Sequence, residues 1–196
     1  MSIKIEGLCK SYGKKTIFND FACSFPDNGM YVIHGESGVG KTTLLRIIAG
    51  LDKDYTGDVA ISTPGISMCF QEYRLFNNIT ALENITEVSF KNATDTDKQY
   101  VHSLFKRLNF SDSDMHLYPS ELSGGMKQRV AFIRAIAKKA PVLILDEPTK
   151  EVDPDNVAIM RQIIKEESQK RLVIMVTHKT DDISDIEATI IDISAR

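Results

Sequence analysis

The chain has 196 residues, of which 42% are hydrophobic and 26% are charged. This length suits one well-buried domain, and these proportions exclude disordered, collagen-like and disulfide-scaffold proteins. The 24 lysines and arginines against 27 aspartates and glutamates leave a net charge of -3, which gives no basic excess of the kind that indicates a nucleic-acid binder.

No stretch approaches the about 20 consecutive apolar residues that a membrane-spanning helix needs. The first residues, Met1 to Glu6, lack the apolar core of a signal peptide. The three cysteines (Cys9, Cys23 and Cys69) are odd in number and show no CxxC spacing, which is typical of a reducing compartment. We therefore expect a cytoplasmic protein.

Strands and helices alternate along most of the chain. Ile3 and Ile5 alternate with polar residues, which predicts a half-buried first strand. The further predicted strands are 30–34, 57–61, 66–70, 142–145, 172–176 and 189–193, and the predicted helices are 41–49, 125–139 and 156–167. The continuous apolar run of 142–145 is typical of a parallel strand that is buried on both faces.

The segment from 72 to about 139 has a different hydrophobic pattern, because apolar residues at helical spacing replace the β-branched runs. Within it, the helix over 125–139 carries Met126, Val130, Ile133 and Ala137 on one face. We therefore predict one α/β domain over 1–196, with a core of about 1–71 and 140–196 interrupted by a helical subdomain of about 72–139.

A glycine-rich turn lies between a predicted strand and a predicted helix. The segment 35–42 reads GESGVGKT and satisfies the phosphate-binding pattern G-x-x-x-x-G-K-[ST]. Glycines allow successive backbone N–H groups to point at phosphate oxygens, and the helix start adds its positive end. Lys41 would reach the β- and γ-phosphates, and the Thr42 hydroxyl would bind Mg²⁺. The predicted nucleotide-binding residues here are Gly35, Glu36, Ser37, Gly38, Val39, Gly40, Lys41, Thr42 and Thr43.

An apolar strand ends in two carboxylates, Asp146 and Glu147. Asp146 would emerge at the carboxyl edge of the sheet and hold Mg²⁺ through water, and Glu147 could orient an attacking water. The alternative is a plain polar turn that ends the strand. The glycine-rich turn upstream favours the functional interpretation, but the two motifs do not distinguish a kinase, a GTPase or an ATPase.

The segment 122–130, LSGGMKQRV, resembles the signature sequence of the ATP-binding cassette (ABC) ATPases, and it stands in the same order relative to the other motifs. Ser123 is a good helix N-cap, and two glycines leave backbone N–H groups accessible. The resemblance implies a P-loop NTPase core of RecA-like type, with a mostly parallel sheet, a small antiparallel β part and a helical subdomain. It also implies that Ser123, Gly124 and Gly125 meet the ATP of a second subunit.

The resemblance assigns roles to further residues. Tyr12 matches the aromatic residue that stacks on adenine, and Asp153 matches the aspartate of the loop that crosses to the partner subunit. Gln71 matches the glutamine that contacts Mg²⁺ and the attacking water, and His178 matches the switch histidine beside the γ-phosphate. The implied catalytic residues are thus Glu147, His178 and Gln71, and the implied metal ligands are Thr42, Gln71 and Asp146.

The chain departs from the family where Ser-Ala-Leu-Asp usually stands, because residues 150–153 read Lys-Glu-Val-Asp. This departure leaves open how the two sites of a dimer are coupled. Glu121, which precedes the signature, is similar to the residue in importers of small anions.

The predicted function is ATP binding and hydrolysis, with Mg²⁺, that powers an ABC transporter through dimer closure. The expected partners are an identical or paralogous ATPase subunit and integral membrane subunits, with no nucleic acid. The membrane subunits would hold this subunit on the cytoplasmic face of the membrane. Leu75, Phe76 and Ile79 are candidate docking contacts, although core packing explains them equally well.

Three alternatives stay open at this point. The chain could serve a mechanical membrane complex, or it could act on ribosomes or DNA, but it has one P-loop and no long heptad insertion. A catalytically inactive binding module is the third, which the presence of Lys41, Asp146, Glu147 and His178 disfavours. The sequence does not decide the transported compound, uptake against extrusion, or an identical against a paralogous partner.

Overall fold

The computed structural model describes residues 3–178 and 186–193. The chain forms two compact units. The first unit comprises residues 1–68, 140–146 and 165–196, and the second comprises 69–139 and 147–164. These boundaries lie near those of the predicted helical subdomain at 72–139, but the second unit also takes in 147–164. The domain division made from the sequence stays a prediction.

Eight strands, five α-helices and two short 3-10 helices (Asp114–His116 and Pro119–Glu121) are present in the described part of the chain. The strands are β1 (Ile3–Tyr12), β2 (Lys15–Phe25), β3 (Gly29–His34), β4 (Thr56–Ile61), β5 (Ile66–Cys69), β6 (Val142–Asp146), β7 (Leu172–Val176) and β8 (Ala188–Asp192). The helices are α1 (Lys41–Ile48), α2 (Glu83–Ser89), α3 (Asp95–Arg107), α4 (Gly124–Ala137) and α5 (Pro154–Ser168). Among the described residues, none of these helices has the length and apolar character to cross a bilayer.

A three-stranded antiparallel sheet, in the order β2-β1-β4, forms the small β part that the resemblance implies. Strand β2 is absent from the sequence prediction. Its pairing with β1 shifts register three times, so its apolar residues do not alternate regularly. Phe18, Phe21 and Phe25 are nevertheless buried in one apolar cluster.

The second sheet has the order β5-β6-β7-β3-β8. Strands β3, β6, β7 and β8 are parallel where they pair, and every residue of β6 and β7 is buried. This confirms the prediction of a mostly parallel sheet with covered strands. Helix α1 buries Leu44, Leu45, Ile47 and Ile48 in the same apolar cluster as residues of β3, β6 and β7, and the cluster is the core of the first unit.

The second unit is mainly helical, as predicted. The predicted apolar stripe on α4 is too narrow, because all residues from Val130 to Ala137 are buried and Met126 is only half-buried. A helix that is buried on all sides has no polar face to show periodicity, so the sequence pattern underestimates its burial. Helix α3 begins with a capping box in which Thr94 and Asp97 exchange side-chain and backbone hydrogen bonds.

Candidate nucleotide-binding and hydrolysis site

The strand register of the first unit brings three predicted site segments to one edge of the parallel sheet. Ile33 pairs with Val176, and Val176 also pairs with Asp146. Ile33, Val176 and Asp146 therefore lie side by side across the sheet. The glycine-rich turn begins two residues after Ile33, and His178 lies two residues after Val176. Neighbouring strands lie about 4.8 Å apart, so β3 and β6 are about 10 Å apart with β7 between them. This is the sheet edge at which ligands of open α/β folds bind.

The glycine-rich turn is folded around its own lysine. Lys41 is 6% exposed, and its ammonium donates hydrogen bonds of 2.7 Å to the carbonyl oxygens of Gly35 and of Glu36. Gly40, which precedes α1, has a φ of 119°, and a Cβ there would lie 2.5 Å from Cγ2 of Ile17. Only glycine fits this position, so the turn holds the shape that a phosphate site needs before any ligand is bound.

The side chains that would hold Mg²⁺ offer oxygen atoms as metal ligands. Thr42 is exposed in the first turn of α1, and Asp146 ends β6 with an exposed fraction of 1%. Hydroxyl and carboxylate oxygens are the ligands that Mg²⁺ prefers, so both residues suit this ion. Gln71, the third predicted ligand, is exposed two residues after the end of β5, which lies beside β6 in the sheet.

Glu147 has an unusual backbone conformation. Its φ is 49°, which costs a residue with a side chain about 1 to 2 kcal/mol. In the second unit the amide nitrogen of Gln128 donates to the carbonyl oxygens of Pro148 at 3.0 Å and of Glu147 at 3.5 Å. Gln128 is fully buried, so it anchors this turn firmly. Strain that neighbouring contacts maintain is typical of functional residues.

The start of α4 has the features of a phosphate-binding helix terminus. Ser123 is the N-cap, and its Oγ accepts a hydrogen bond of 3.2 Å from the backbone N–H of Met126. Gly124 and Gly125 form the first turn and are each tightly opposed by Glu151. A Cβ on Gly124 would lie 2.5 Å from Oε2 of Glu151, and a Cβ on Gly125 would lie 2.7 Å from the backbone oxygen of Glu151.

Glu151 lies in the Lys-Glu-Val-Asp segment at 150–153 and is held by Tyr73. The Tyr73 hydroxyl donates a hydrogen bond of 2.5 Å to Oε2 of Glu151. This bond, together with partial burial, raises the pKa of Tyr73 to about 12. Arg134 fixes the tyrosine's own segment, because its guanidinium donates to the carbonyl oxygens of Tyr73 at 2.9 Å and of Arg74 at 2.7 Å. The segments that follow Gln71 and Glu147 therefore meet at the signature turn within the second unit.

Alanine substitutions of Gly124 and Gly125 should differ in their effect on stability, because Gly124 faces the side chain of Glu151 and Gly125 faces its backbone. Gly125→Ala should lower the free energy of unfolding by about 1 to 3 kcal/mol, because the obstructing atom belongs to the backbone. Gly124→Ala meets the end of a flexible side chain, so in a Glu151→Ala background it should be neutral or stabilising, since alanine favours a helix over glycine by up to about 1 kcal/mol. Urea unfolding measures the free energy of unfolding of Gly125→Ala, Gly124→Ala, Glu151→Ala and the double variant Gly124→Ala with Glu151→Ala. An identical effect of Gly124→Ala in both backgrounds would contradict the contact.

The remaining predicted residues lie as follows. Tyr12 ends β1 in the antiparallel sheet and is half exposed, and His178 is exposed just after β7. Asp153 precedes α5 and caps it, because its carboxylate accepts hydrogen bonds from the side chain and the backbone N–H of Asn156 at 2.9 to 3.1 Å. These bonds lower the pKa of Asp153. The roles of these residues in catalysis stay predictions.

The sequence analysis assigned no individual role to Gln128, Arg134, Tyr73 or Glu151, although each fixes part of the second unit near the signature turn. The available signal for Arg134 was an arginine within the apolar run 130–137 of α4, whereas Gln128 lies between Lys127 and Arg129 and had no such signal. The unusual Lys-Glu-Val-Asp segment was the signal for Glu151. Its partner, Tyr73, lies 78 residues earlier and has no local signature.

A family model for ABC transporters matches residues 18–150, which include the glycine-rich turn, the signature and the acidic strand end. The chain belongs to the ABC transporter family. The resemblance that the motifs carry is thereby confirmed, together with the fold class that it implies.

Among curated relatives of this ABC chain are import subunits. It is 38% identical over 169 residues to the sulfate/thiosulfate import ATP-binding protein CysA of Vibrio vulnificus (strain CMCP6), with coverage of 78% of the chain and 49% of that protein. It is 35% identical over 192 residues to the aliphatic sulfonates import ATP-binding protein SsuB of Bacillus subtilis (strain 168), with coverage of 93% and 74%. The chain thus spans about half the length of that CysA relative.

Solved structures of the ABC cassette MJ0796 resemble this family member over nearly its whole length. One is a dimer in a post-hydrolysis state bound to ADP and Pi, and it superposes with a TM-score of 0.86 at 25% identity, covering 99% of this chain and 97% of that one. A second dimeric structure of the same cassette gives the same values.

Proposed function

We propose that this chain is the ATP-binding and ATP-hydrolysing subunit of an ABC importer, and that it works as a dimer. The observation that carries the proposal is the strand register, which sets the glycine-rich turn, Asp146 and His178 at one edge of the first unit's sheet. Membership of the ABC family and the import names of its relatives support it.

In the proposed reaction the glycine-rich turn binds the phosphates of ATP. The ammonium of Lys41 exchanges its contacts with Gly35 and Glu36 for phosphate oxygens, which keeps its charge satisfied. Glu147 orients a water in line with the γ-phosphorus and accepts its proton as the bond to the β-γ bridging oxygen breaks. His178 and Gln71 position the γ-phosphate and that water.

Thr42, Asp146 and Gln71 would hold Mg²⁺. An ion held by these residues would supply positive charge that offsets the negative charge of the phosphates. The exposed hydroxyl of Thr42 and the carboxylate at the end of β6 are the donors that suit it within the first unit.

The chain has two helix starts that suit phosphate, one at the glycine-rich turn before α1 and one at the signature turn before α4. The second explains why a dimer is needed. Ser123, Gly124 and Gly125 form a helix terminus that can contact the γ-phosphate held by another copy, and Asp153 would lie in the loop that crosses to it. The dimers of MJ0796 are the model for this arrangement. ATP would favour the closed dimer because it binds both halves of the site there, and hydrolysis would remove that advantage.

Coupling to transport would use membrane subunits that dock on the second unit. Phe76 is 54% exposed, which favours a docking role for it, whereas Leu75 and Ile79 are half-buried. The curated relatives are named as import proteins for sulfate, thiosulfate and aliphatic sulfonates. Together with Glu121 before the signature, these names favour import of a small anion. Such docking would place the subunit at the cytoplasmic face of the membrane.

Mixing two inactive variants tests the shared site. Lys41→Ala removes the phosphate lysine, and Ser123→Arg, at an exposed cap, blocks the signature turn. In a mixed dimer one site carries both defects and the other carries none. An equal mixture should therefore recover roughly a quarter of the parent ATPase rate, since half of the dimers are mixed and each has one intact site.

The matched control carries the same two substitutions on one chain. When that double variant is mixed with the parent, every mixed dimer has one defect in each site, so those dimers should add no activity. Steady-state phosphate release measures both mixtures. Parent homodimers, a quarter of all dimers in this control, should then be its active species, so it too should give roughly a quarter of the parent rate. No recovery in the first mixture, or roughly half of the parent rate in the control, would overturn the shared site.

A further inference from the structure

A buried lysine lies beneath the predicted adenine-stacking residue. The side chain of Lys10 on β1 is 2% exposed. Its ammonium donates to Oδ1 of Asp52 at 2.9 Å, to Oδ2 of Asp54 at 3.3 Å and to the backbone oxygen of Asp54. Removing an ammonium from water is costly unless its donors are satisfied, and three acceptors satisfy this one. Lys10 therefore has a fixed position.

Tyr12 is tied to the same carboxylate. Its hydroxyl donates a hydrogen bond of 2.9 Å to Oδ2 of Asp52, while Oδ1 accepts from Lys10. The Lys10 ammonium also lies 4.7 Å from the centre of the Tyr12 ring, which is a cation–π contact. The ring is nevertheless 51% exposed, so this tethered aromatic group still offers surface to a ligand.

The carboxylate itself is anchored. The backbone N–H of Asp52 donates to the carbonyl oxygen of Arg46 at 3.2 Å in the turn that ends α1. Burial opposes ionisation, but hydrogen bonds from Lys10, Tyr12 and the backbone N–H of Asp54 outweigh it and lower the pKa of Asp52. The acceptor is thus charged at neutral pH. Because α1 begins at the phosphate-binding turn, one short helix connects the Tyr12 tether to that turn.

We propose that Lys10 and Asp52 are positioning residues for the nucleotide base: they hold the Tyr12 ring in its stacking orientation before ATP binds. The proposal rests on the proposed function, because it requires Tyr12 to contact adenine. An aromatic ring that is already oriented loses less freedom when a base stacks on it, so the ion pair strengthens binding of the base without touching it. The Asp52 carboxylate bonds to Lys10, to Tyr12 and to the backbone N–H of Asp54, so its charge acts on the base through the Tyr12 ring, and we expect phosphate binding to be independent of it.

Comparing ligands with and without a base separates this role from a structural one. Isothermal titration calorimetry with Mg²⁺ measures binding of ATP and of inorganic tripolyphosphate, which lacks the base and the ribose. Tyr12→Phe keeps the ring and removes the hydroxyl, and Asp52→Asn removes the charge. Both should weaken ATP about three- to tenfold and leave tripolyphosphate binding unchanged. KM for ATP should rise by the same factor at unchanged kcat.

The double variant provides an internal check. Because both substitutions act on one hydrogen bond, Tyr12→Phe with Asp52→Asn should weaken ATP no more than the stronger single variant. The matched control is Asp112→Asn, which removes a 2.7 Å ion pair to Lys106 in the second unit and should change binding of neither ligand. If Asp52→Asn does not fold, Tyr12→Phe alone still decides the outcome.

Three results would overturn the proposal. Equal losses for ATP and tripolyphosphate would show that the ion pair only maintains the fold. An unchanged ATP affinity in Asp52→Asn and Tyr12→Phe, with a loss in Tyr12→Ala, would show stacking without positioning. An unchanged affinity in Tyr12→Ala would remove Tyr12 from the base site. The phosphate site of the proposed function would survive all three results, since Lys41→Ala tests it separately.

Discussion

Glu147→Gln should bind ATP with nearly the parent affinity and hydrolyse it roughly 10² to 10⁴ times more slowly. The amide keeps the size of the side chain and its place at the end of β6, but it cannot accept the proton of the attacking water. ATP would then persist in the site and hold the closed dimer. Phosphate release under steady-state conditions measures the rate, and analytical ultracentrifugation with ATP and Mg²⁺ measures the dimer.

The control for this variant is Asp155→Asn, which removes a carboxylate from the exposed first turn of α5. It should retain the parent rate and show no ATP-dependent accumulation of dimer. Turnover of Glu147→Gln at the parent rate would remove this residue from the proposed role, and the positive φ at position 147 would then be a feature of the turn alone.

Lys41→Ala should weaken ATP binding by about 10- to 100-fold, because a charged hydrogen bond to phosphate contributes about 1.5 to 3 kcal/mol. The substitution also removes the two bonds with which the ammonium holds the carbonyl groups of Gly35 and Glu36. The phosphate turn would then be less well ordered before ATP arrives. Equilibrium dialysis with labelled ATP measures the affinity directly.

Lys98→Ala is the matched control, since it removes the same charge from the exposed surface of α3. Its ATP affinity should equal that of the parent. An unchanged affinity in Lys41→Ala would contradict the phosphate-binding assignment. The two main variants also give opposite patterns, because Lys41→Ala fails at binding and Glu147→Gln fails only after it.

Most of the parallel sheet could be predicted from the sequence because its strands are short apolar runs with clear boundaries. Strand β7 has the predicted bounds, and β3 and β6 are each one residue longer than predicted. Strand β2 could not be predicted, since bulges disturb its alternation and its phenylalanines are buried only by tertiary packing. The burial of every residue from Val130 to Ala137 in α4 was missed because a segment that is buried on all sides has no polar face to show periodicity.

Contiguous motifs determined what the chain is. The glycine-rich turn and the signature turn carry their chemistry in consecutive residues, because backbone N–H groups and a helix terminus form the site. Those segments identified a member of the ABC family before any fold was known, and the family comparison confirmed that membership.

Only the tertiary structure decided which side chains support these motifs. Asp52 reaches Tyr12 across 40 positions, and Glu151 reaches Tyr73 across 78. Gln128, on α4, bonds to the turn that follows Asp146 at the end of β6. The physical reason is that a hydrogen bond between distant residues depends on how the strands and helices pack, and a single sequence leaves no periodic trace of such a contact.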